Sequence, residues 1–286
     1  MWRHHLRRLE IVVHPELRRQ VVPMKQIHGI FCSSESNGID EGELLCCVPF
    51  FNTIATNIAI ASPWGTELMH AISSYSVIAD GVKVDYSKES AITTVFCALA
   101  MLYGRNPLSD YLQWISLERG DEDEIRRKLG DDGYIKLQTI DKLNNSILLA
   151  LCEDAAKIGS RIPVEAMDKA HKICSSRCVD VPRSHKIFGG PSLVPFMDLI
   201  NHSDKEPNVA VYMDTASSLR DALRNSKKLS KDVFEKFCST QCPFYVIART
   251  TRDVAAGEEL HYQYVDTRTD SAQDLLFWAS RFHFCP

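Results

Sequence analysis

Three segments of the sequence hold polar side chains in positions where they could do chemistry. In the first, Asn201, His202 and Ser203 directly follow the apolar run 196–200, so an amide, an imidazole and a hydroxyl lie at the edge of a core. On spacing alone, the pattern is more typical of a helix C-cap and turn, where such side chains hydrogen-bond to the local backbone. This motif by itself leaves a structural and a functional interpretation open.

The second segment is 257–264, with the sequence Gly-Glu-Glu-Leu-His-Tyr-Gln-Tyr. Tyr262 and Tyr264 are two residues apart, so on a strand they share a face and line one pocket. Aromatic residues are also common in strands that have only a structural role. The third segment is Arg177, at the end of a predicted helix and next to Cys178; an arginine there ordinarily interacts with the helix C-terminus.

The elements that must position these residues are predicted from the hydrophobic pattern. Short strands separated by turns are expected in the first ninety residues, at 10–13, 29–32 and 42–49. Apolar residues at helical spacing predict helices at 89–103, from Asp121, at 144–158 and at 164–177. Strands are expected again at 209–213, 243–249 and 260–264, with a closing helix at 274–281. The polar stretch 214–238 is expected to be an exposed insertion with some helix at 231–237.

Composition excludes several classes of protein. The chain has 286 residues, of which 45% are hydrophobic and 24% charged, as in an ordinary globular protein and unlike a disordered or collagen-like chain. The formal net charge of −4 gives no global basic field for nucleic acid. The longest clearly apolar run, 95–103, is far shorter than the ~20 residues that span a bilayer. We therefore expect a soluble protein with neither a nucleic-acid nor a membrane partner.

Charge and cysteine usage suggest an intracellular compartment. Residues 1–25 carry +4 and the remainder −8. The basic start predicts a solvated first strand or helix, with an organelle-targeting segment as the alternative. We expect a cytoplasmic or nuclear protein, or a mitochondrial one if the targeting interpretation holds. None of the ten cysteines forms a Cys-x-x-Cys pair, which favours reduced, buried thiols over a zinc site.

Taken together, the motifs resemble a known family. The run 199–203, paired with 257–264, resembles the two signature motifs of SET-domain protein methyltransferases. The stretches 29–32 and 41–49 resemble the opening hairpin of that family. The helical block before the Asn-His motif, with Arg177 at its end, is similar to the RuBisCO large-subunit lysine methyltransferase subgroup. The resemblance extends from about residue 10 to residue 286.

The resemblance implies an α+β, SET-like fold of small twisted β-sheets, with a threaded C-terminal segment and an inserted helical subdomain. Residues 1–87 and 179–286 are expected to form the two parts of the SET domain, with a polar insertion near 214–240. Residues 88–178 are expected to form the helical insertion. The subgroup's C-terminal substrate-binding domain is expected to be absent, because the sequence ends at Pro286.

The implied function is S-adenosylmethionine-dependent N-methylation of a protein, with a lysine of a non-histone protein as the expected acceptor. A histidine acceptor and a non-catalytic SET-like binding module are the alternatives. The resemblance implies no metal. It leaves the identity of the protein substrate, the number of methyl groups added and the oligomeric state open.

Roles for individual residues also follow from the resemblance. Tyr264 matches the catalytic tyrosine, and Tyr262 and Cys178 match positions near the substrate. The residues matching cofactor-binding positions are Gly29, Phe31, Arg177, Asp198, Asn201, His202, Phe282 and Phe284. The family's opening Gly-x-Gly is reduced to its second glycine, with Ile27 at the first position. Without a residue that readily adopts φ > 0 there, we expect altered backbone at the cofactor edge.

Overall fold

The structure is a computed structural model that describes residues 2–22, 27–115, 117, 121–180, 191–203, 205–225, 242–264 and 274–285. Its α-helices are α1 Trp2–Arg8, α2 Thr56–Ala61, α3 Gly65–Ala71, α4 Lys88–Tyr103, α5 Pro107–Trp114, α6 Glu122–Lys157, α7 Val164–Arg177, α8 Ala216–Asn225 and α9 Leu275–Phe282. Its strands are β1 Val12–Val13, β2 Leu17–Val21, β3 His28–Cys32, β4 Leu44–Pro49, β5 Tyr75–Ala79, β6 Val82–Tyr86, β7 Cys178–Asp180, β8 Pro191–Leu193, β9 Asn201–His202, β10 Val209–Thr215, β11 Phe244–Thr250 and β12 His261–Tyr262. No helix in the described ranges is long and apolar enough to cross a membrane.

The described residues divide into two compact units. The first comprises those within Met1–Thr53, Val179–Gly189 and Val194–Tyr264. The second comprises those within Ile54–Cys178, Gly190–Leu193 and Val265–Pro286. The predicted domain boundaries at 87 and 178 stay a prediction. They mark an insertion along the sequence, whereas the two units are defined by compactness in space.

The first unit is built on an antiparallel sheet with strand order β1-β4-β11-β10. The central strand β4 is buried along its whole length, as is most of β11. Val48 pairs with Val246 and Cys47 with Ile247, so apolar side chains from both strands supply the core of this unit.

A second set of pairings in the first unit arranges the segment 257–262. One edge of this segment bonds to β3: the amide of Leu260 donates to the carbonyl of Ile30 at 2.7 Å, and the amide of Cys32 donates to the carbonyl of Glu258 at 2.8 Å. Its other edge forms the parallel pair β9-β12, in which His261 is opposite Asn201 and Tyr262 opposite His202. The segment thus lies between two strands distant in sequence, as the predicted threaded segment of a SET-like fold requires.

Helices dominate the second unit. Helix α4 is buried continuously from Ala91 to Met101 and packs against α7, which buries Met167, Ala170 and Ile173. Helix α6 begins at the N-cap Asp121, and its geometry is interrupted at Gly130, where φ is 70°. Helix α9 packs on both α6 and α7, and the hairpin β5-β6 packs on α6.

The structure confirms most predicted elements and corrects others. The helices predicted at 89–103, 164–177 and 274–281 and the strands at 29–32, 42–49, 209–213 and 243–249 are present within a few residues. The helix predicted from Asp121 begins where expected and is interrupted at Gly130, after which helical turns continue to Lys157, so the helix predicted at 144–158 begins earlier than expected. Residues 56–71 form helices and not strands, since apolar side chains there recur at helical spacing. The helix predicted at 231–237 lies outside the described residues, whereas 216–225 is helical.

Glu258 joins three parts of the first unit. Its carboxylate lies 2.7 Å from a guanidinium nitrogen of Arg252 and accepts hydrogen bonds from the Asn208 side chain (3.0 Å) and the Ala255 amide (2.8 Å). Burial alone raises the pKa of Glu258, but the bonds and charge of these partners outweigh it and lower the pKa below its ordinary value of 4.5. Glu258 therefore stabilises the fold chiefly in its ionised form.

We predict that Glu258→Gln lowers the free energy of unfolding by about 1 kcal/mol at neutral pH, since Arg252 is partly exposed and its attraction is screened. A carboxyl group whose folded pKa is lowered stabilises above its unfolded pKa and loses that contribution as the pH falls through its folded pKa. The difference between wild type and variant should therefore shrink below about pH 4.5. Urea unfolding at several pH values measures it, and a difference independent of pH would contradict the assignment.

Candidate functional site

The Asn-His motif lies in the first unit, at the end of a tight turn. Phe196, fully buried and 6.3 Å from the ring of Trp2, adopts φ 82° and begins a 3₁₀ turn over Met197–Leu199. Asp198 is buried within this turn, and its amide donates to the carbonyl of Val194 at 3.2 Å. The chain then becomes extended, so the interpretation of the motif as a helix C-cap is wrong.

The Asn201 side chain is held by two acceptors. Its Nδ2 donates to the carbonyl of His28 at 3.1 Å and to Oε1 of Glu259 at 2.7 Å. The Glu259 side chain is only 13% exposed, and its Oε2 lies 3.4 Å from Nε2 of His261. Both amide hydrogens of Asn201 are thus directed at the protein, and Oδ1 is on the opposite side of the amide.

Gly29 makes this arrangement possible through its size. A Cβ at position 29 would overlap Oε1 of Glu259 and would lie 2.9 Å from Nδ2 of Asn201. Gly29 lies in β3 without a positive φ, and Ile27 also has no positive φ. The expectation of altered backbone at Ile27 stays a prediction; what the structure adds is a close approach at Gly29.

His202, Tyr262 and Tyr264 form a cluster of rings beside this amide. The ring of Tyr264 is centred 4.8 Å from Tyr262 and 5.1 Å from His202. The Tyr264 amide donates to Nδ1 of His202 at 3.1 Å, and the Tyr264 hydroxyl donates to the carbonyl of Ile200 at 2.7 Å. Strand β12 ends at Tyr262, before the predicted 264, yet the two tyrosines contact each other.

The other predicted site residue of the first unit is Phe31. It is 8% exposed in β3, and it forms a bridge with Glu259 across the two segments. The structure therefore brings five predicted residues into one connected arrangement through β3, β9 and β12, and Phe31 lies in the same β3. These five are Gly29, Asn201, His202, Tyr262 and Tyr264.

The second unit contains Arg177 and Cys178. Arg177 ends α7 and is partly buried, and Cys178 is 6% exposed. The Cys174 thiol hydrogen-bonds to the thiols of Cys178 and Cys97, and these contacts lower the pKa of Cys174 well below its usual value. The same contact with Cys174, together with burial, raises the pKa of Cys97. None of the three thiols forms a disulfide.

Phe282 and Phe284 also lie in the second unit, in an aromatic cluster around the buried Trp278. The ring of Trp278 is centred 5.0 Å from Phe282 and 5.4 Å from Phe284. Arg281 covers Phe282 at 5.3 Å and donates from Nε to the carbonyl of Ser175. The predicted contact of these two rings with adenine stays a prediction.

Within the part of the chain that the structure describes, no group of three or more His, Cys, Asp or Glu side chains could hold a metal ion.

Sequence reasoning missed Glu259 as the partner of Asn201. The two residues are 58 positions apart, so no local spacing relates them. The available signal was the alternation of side chains along an extended segment: Glu259 and His261 share one side, and Glu258 is on the other. Asn201 is on the side of Glu259 because it pairs with His261.

The close approach at Gly29 can be tested by a double-mutant cycle. We predict that Gly29→Ala destabilises the protein by about 1–3 kcal/mol, because the added methyl overlaps the Glu259 carboxylate. In a Glu259→Ala background the same substitution should cost less than half as much, since the carboxylate is gone. Chemical unfolding of the four proteins measures the coupling. Additive costs would show that residue 29 and Glu259 do not meet.

Comparison with known proteins gives matches among solved structures. The SET domain of LSMT bound to lysine and AdoHcy matches with a TM-score of 0.65 and 14% identity, over 100% of this chain and 56% of that one. The same domain bound to methyllysine and AdoHcy matches with a TM-score of 0.63, 15% identity and the same coverage. Rubisco LSMT bound to AdoMet matches with a TM-score of 0.62 and 14% identity, over 100% and 55% of the two chains.

The chain thus spans about half the length of these solved chains. No family model matches its sequence, and no curated protein matches it. At 14–15% identity the likeness is one of fold. Together with the small sheets and the segment between β3 and β9, it shows that this chain has a SET-like fold.

Proposed function

We propose that this chain is an S-adenosylmethionine-dependent protein N-methyltransferase whose acceptor is a lysine side chain. The observation that carries the proposal is the arrangement around β9 and β12, where Asn201, His202 and Tyr264 meet. The solved structures of similar fold support it, since their ligands are AdoMet or AdoHcy, with lysine or methyllysine in two of them.

The residues present fit such a cofactor in their hydrogen-bonding chemistry. Because Nδ2 of Asn201 is directed at His28 and Glu259, the amide presents Oδ1, an acceptor suited to an ammonium group. The absence of a side chain at Gly29 leaves room for the Glu259 carboxylate that holds this amide. We propose that Asn201, His202, Asp198, Gly29 and Phe31 contribute to cofactor binding.

Roles toward the cofactor or the acceptor are also proposed for residues of the second unit. The guanidinium of Arg177 suits a carboxylate, which it can bind through two parallel N–H···O bonds. Phe282 and Phe284 offer flat apolar surfaces of the kind that pack against a purine. Cys178 is proposed to contact the acceptor side chain. These roles rest on the residue types and on the motif positions.

Tyr264 is the proposed catalytic residue. Its hydroxyl hydrogen is donated to the carbonyl of Ile200, so toward a ligand the hydroxyl oxygen would act as an acceptor. Those lone pairs can accept from an amine N–H and so aim the nitrogen lone pair for an in-line displacement. Bound S-adenosylmethionine would supply an electrophilic methyl group. The ring of Tyr262, 4.8 Å away, narrows the space around the amine.

A histidine acceptor is the second candidate. Cys178 has no amide with which to hold an imidazole, which favours lysine. A non-catalytic binding module would use the same cofactor contacts without the Tyr264 chemistry. Binding and transfer experiments separate the three.

The first experiment measures binding of S-adenosylmethionine and AdoHcy to the wild-type chain by isothermal titration calorimetry. We expect saturable binding of both, because Asn201 is fixed in one orientation before ligand arrives. Absence of binding would remove the enzyme interpretation. Transfer of a labelled methyl group into a cell lysate, followed by mass spectrometry of the modified residue, then distinguishes lysine from histidine.

We predict that Tyr264→Phe lowers the rate of methyl transfer by about 10²–10³-fold while cofactor affinity changes little. Only the hydroxyl is removed, and the ring contacts with His202 and Tyr262 remain. Tyr103→Phe is the matched control: that exposed hydroxyl also donates to a backbone carbonyl, of Arg161, at 2.8 Å. Transfer by Tyr264→Phe at the rate of Tyr103→Phe would exclude the catalytic role.

A further inference from the structure

Asn201 and Glu259 form a side-chain pair that the proposed chemistry does not itself require. Asparagine can present either an acceptor or two donors, since rotation about its last side-chain bond exchanges Oδ1 and Nδ2. In this structure both neighbours of the amide are acceptors, the His28 carbonyl and Oε1 of Glu259. Only one orientation of the amide satisfies both.

The stronger of these two contacts comes from Glu259. Its bond to Nδ2 is 2.7 Å, against 3.1 Å for the carbonyl of His28, and a carboxylate acceptor forms the stronger kind of hydrogen bond. Glu259 is itself fixed, because its backbone forms a bridge with Phe31 of β3 and its side chain is only 13% exposed. His261 lies 3.4 Å from its second oxygen.

We propose that Glu259 is a positioning residue that fixes the acceptor face of Asn201 toward the cofactor, an inference that rests on the proposed function. Glu259 acts through Asn201 and has no contact with reacting atoms. Gly29 is part of the same arrangement, since only glycine leaves room for the Glu259 carboxylate beside the Asn201 amide. The position requires an acceptor oxygen at Oε1 and does not require its negative charge.

The adjacent Glu258 provides a matched control. It has the same side chain at the preceding position, yet its carboxylate is directed at Arg252, Asn208 and Ala255. Loss of either carboxylate should destabilise the fold. Only loss of Glu259 should release Asn201.

The experiment titrates AdoHcy, which cannot be consumed, into wild type, Glu259→Met, Glu259→Gln and Glu258→Met. We expect the Kd to rise about tenfold or more in Glu259→Met, which removes the acceptor at similar length. We expect it to stay within about threefold of wild type in Glu259→Gln, whose amide oxygen still accepts from Nδ2, and in Glu258→Met. Circular dichroism and urea unfolding confirm that each variant is folded.

Several outcomes would overturn the inference. Equal affinity of wild type and Glu259→Met contradicts it alone, whereas a wild-type chain that binds no AdoHcy contradicts the proposed function as well. If Glu259→Met and Glu259→Gln weaken AdoHcy binding equally, the effect comes from loss of the negative charge and not from loss of the Asn201 orientation. Equal weakening by Glu258→Met would assign it to general loosening of the segment. If Glu259→Met does not fold, Glu259→Asp, with a carboxylate too short to reach Asn201, must weaken binding in its place.

Discussion

The site depends on one constraint: the segment 257–262 is hydrogen-bonded to β3 through residues 257–260 and paired with β9 through residues 261–262. A segment paired on both sides cannot shift register without breaking two ladders, so each of its side chains has a fixed direction. Glu259 is thereby directed at Asn201, and the close packing explains why β3 contains glycine where it faces them. The catalytic candidate Tyr264 is positioned by the same pairing, two residues beyond its end.

The fixed side-chain directions of this segment also give the neighbouring carboxylates of Glu258 and Glu259 different roles. Side chains alternate along an extended backbone, so Glu258 and Glu259 are directed to opposite sides. On one side Glu258 meets Arg252 and acts as an ion pair that stabilises the fold. On the other, Glu259 meets a neutral amide and determines which of its atoms is presented. Both carboxylates thus support the fold, and only that of Glu259 also orients Asn201.

Local patterns in the sequence predicted the elements and motifs but not the contacts between them. Helices α4 and α7 follow from apolar residues at helical spacing, and β10 and β11 from runs of strand-forming residues. The parallel pair β9-β12 joins residues about 60 positions apart, and the contact of Asn201 with the His28 carbonyl spans 173. Hydrophobic periodicity reflects only local spacing, so it does not reveal such long-range pairings. For the same reason, the sequence did not indicate the close approach of Glu259 to Gly29.

The directions of the polar hydrogens limit what the first-unit site can bind. The Nδ2 hydrogens of Asn201 and the hydroxyl hydrogen of Tyr264 are all donated to protein oxygens. Both side chains therefore present oxygen atoms, which attract donors and positive charge and disfavour anions. An ammonium group and a primary amine meet this requirement, and a phosphate does not. Under the proposed function, this preference would come from three acceptors of the protein itself, the carbonyls of His28 and Ile200 and the carboxylate of Glu259, which a ligand need not touch.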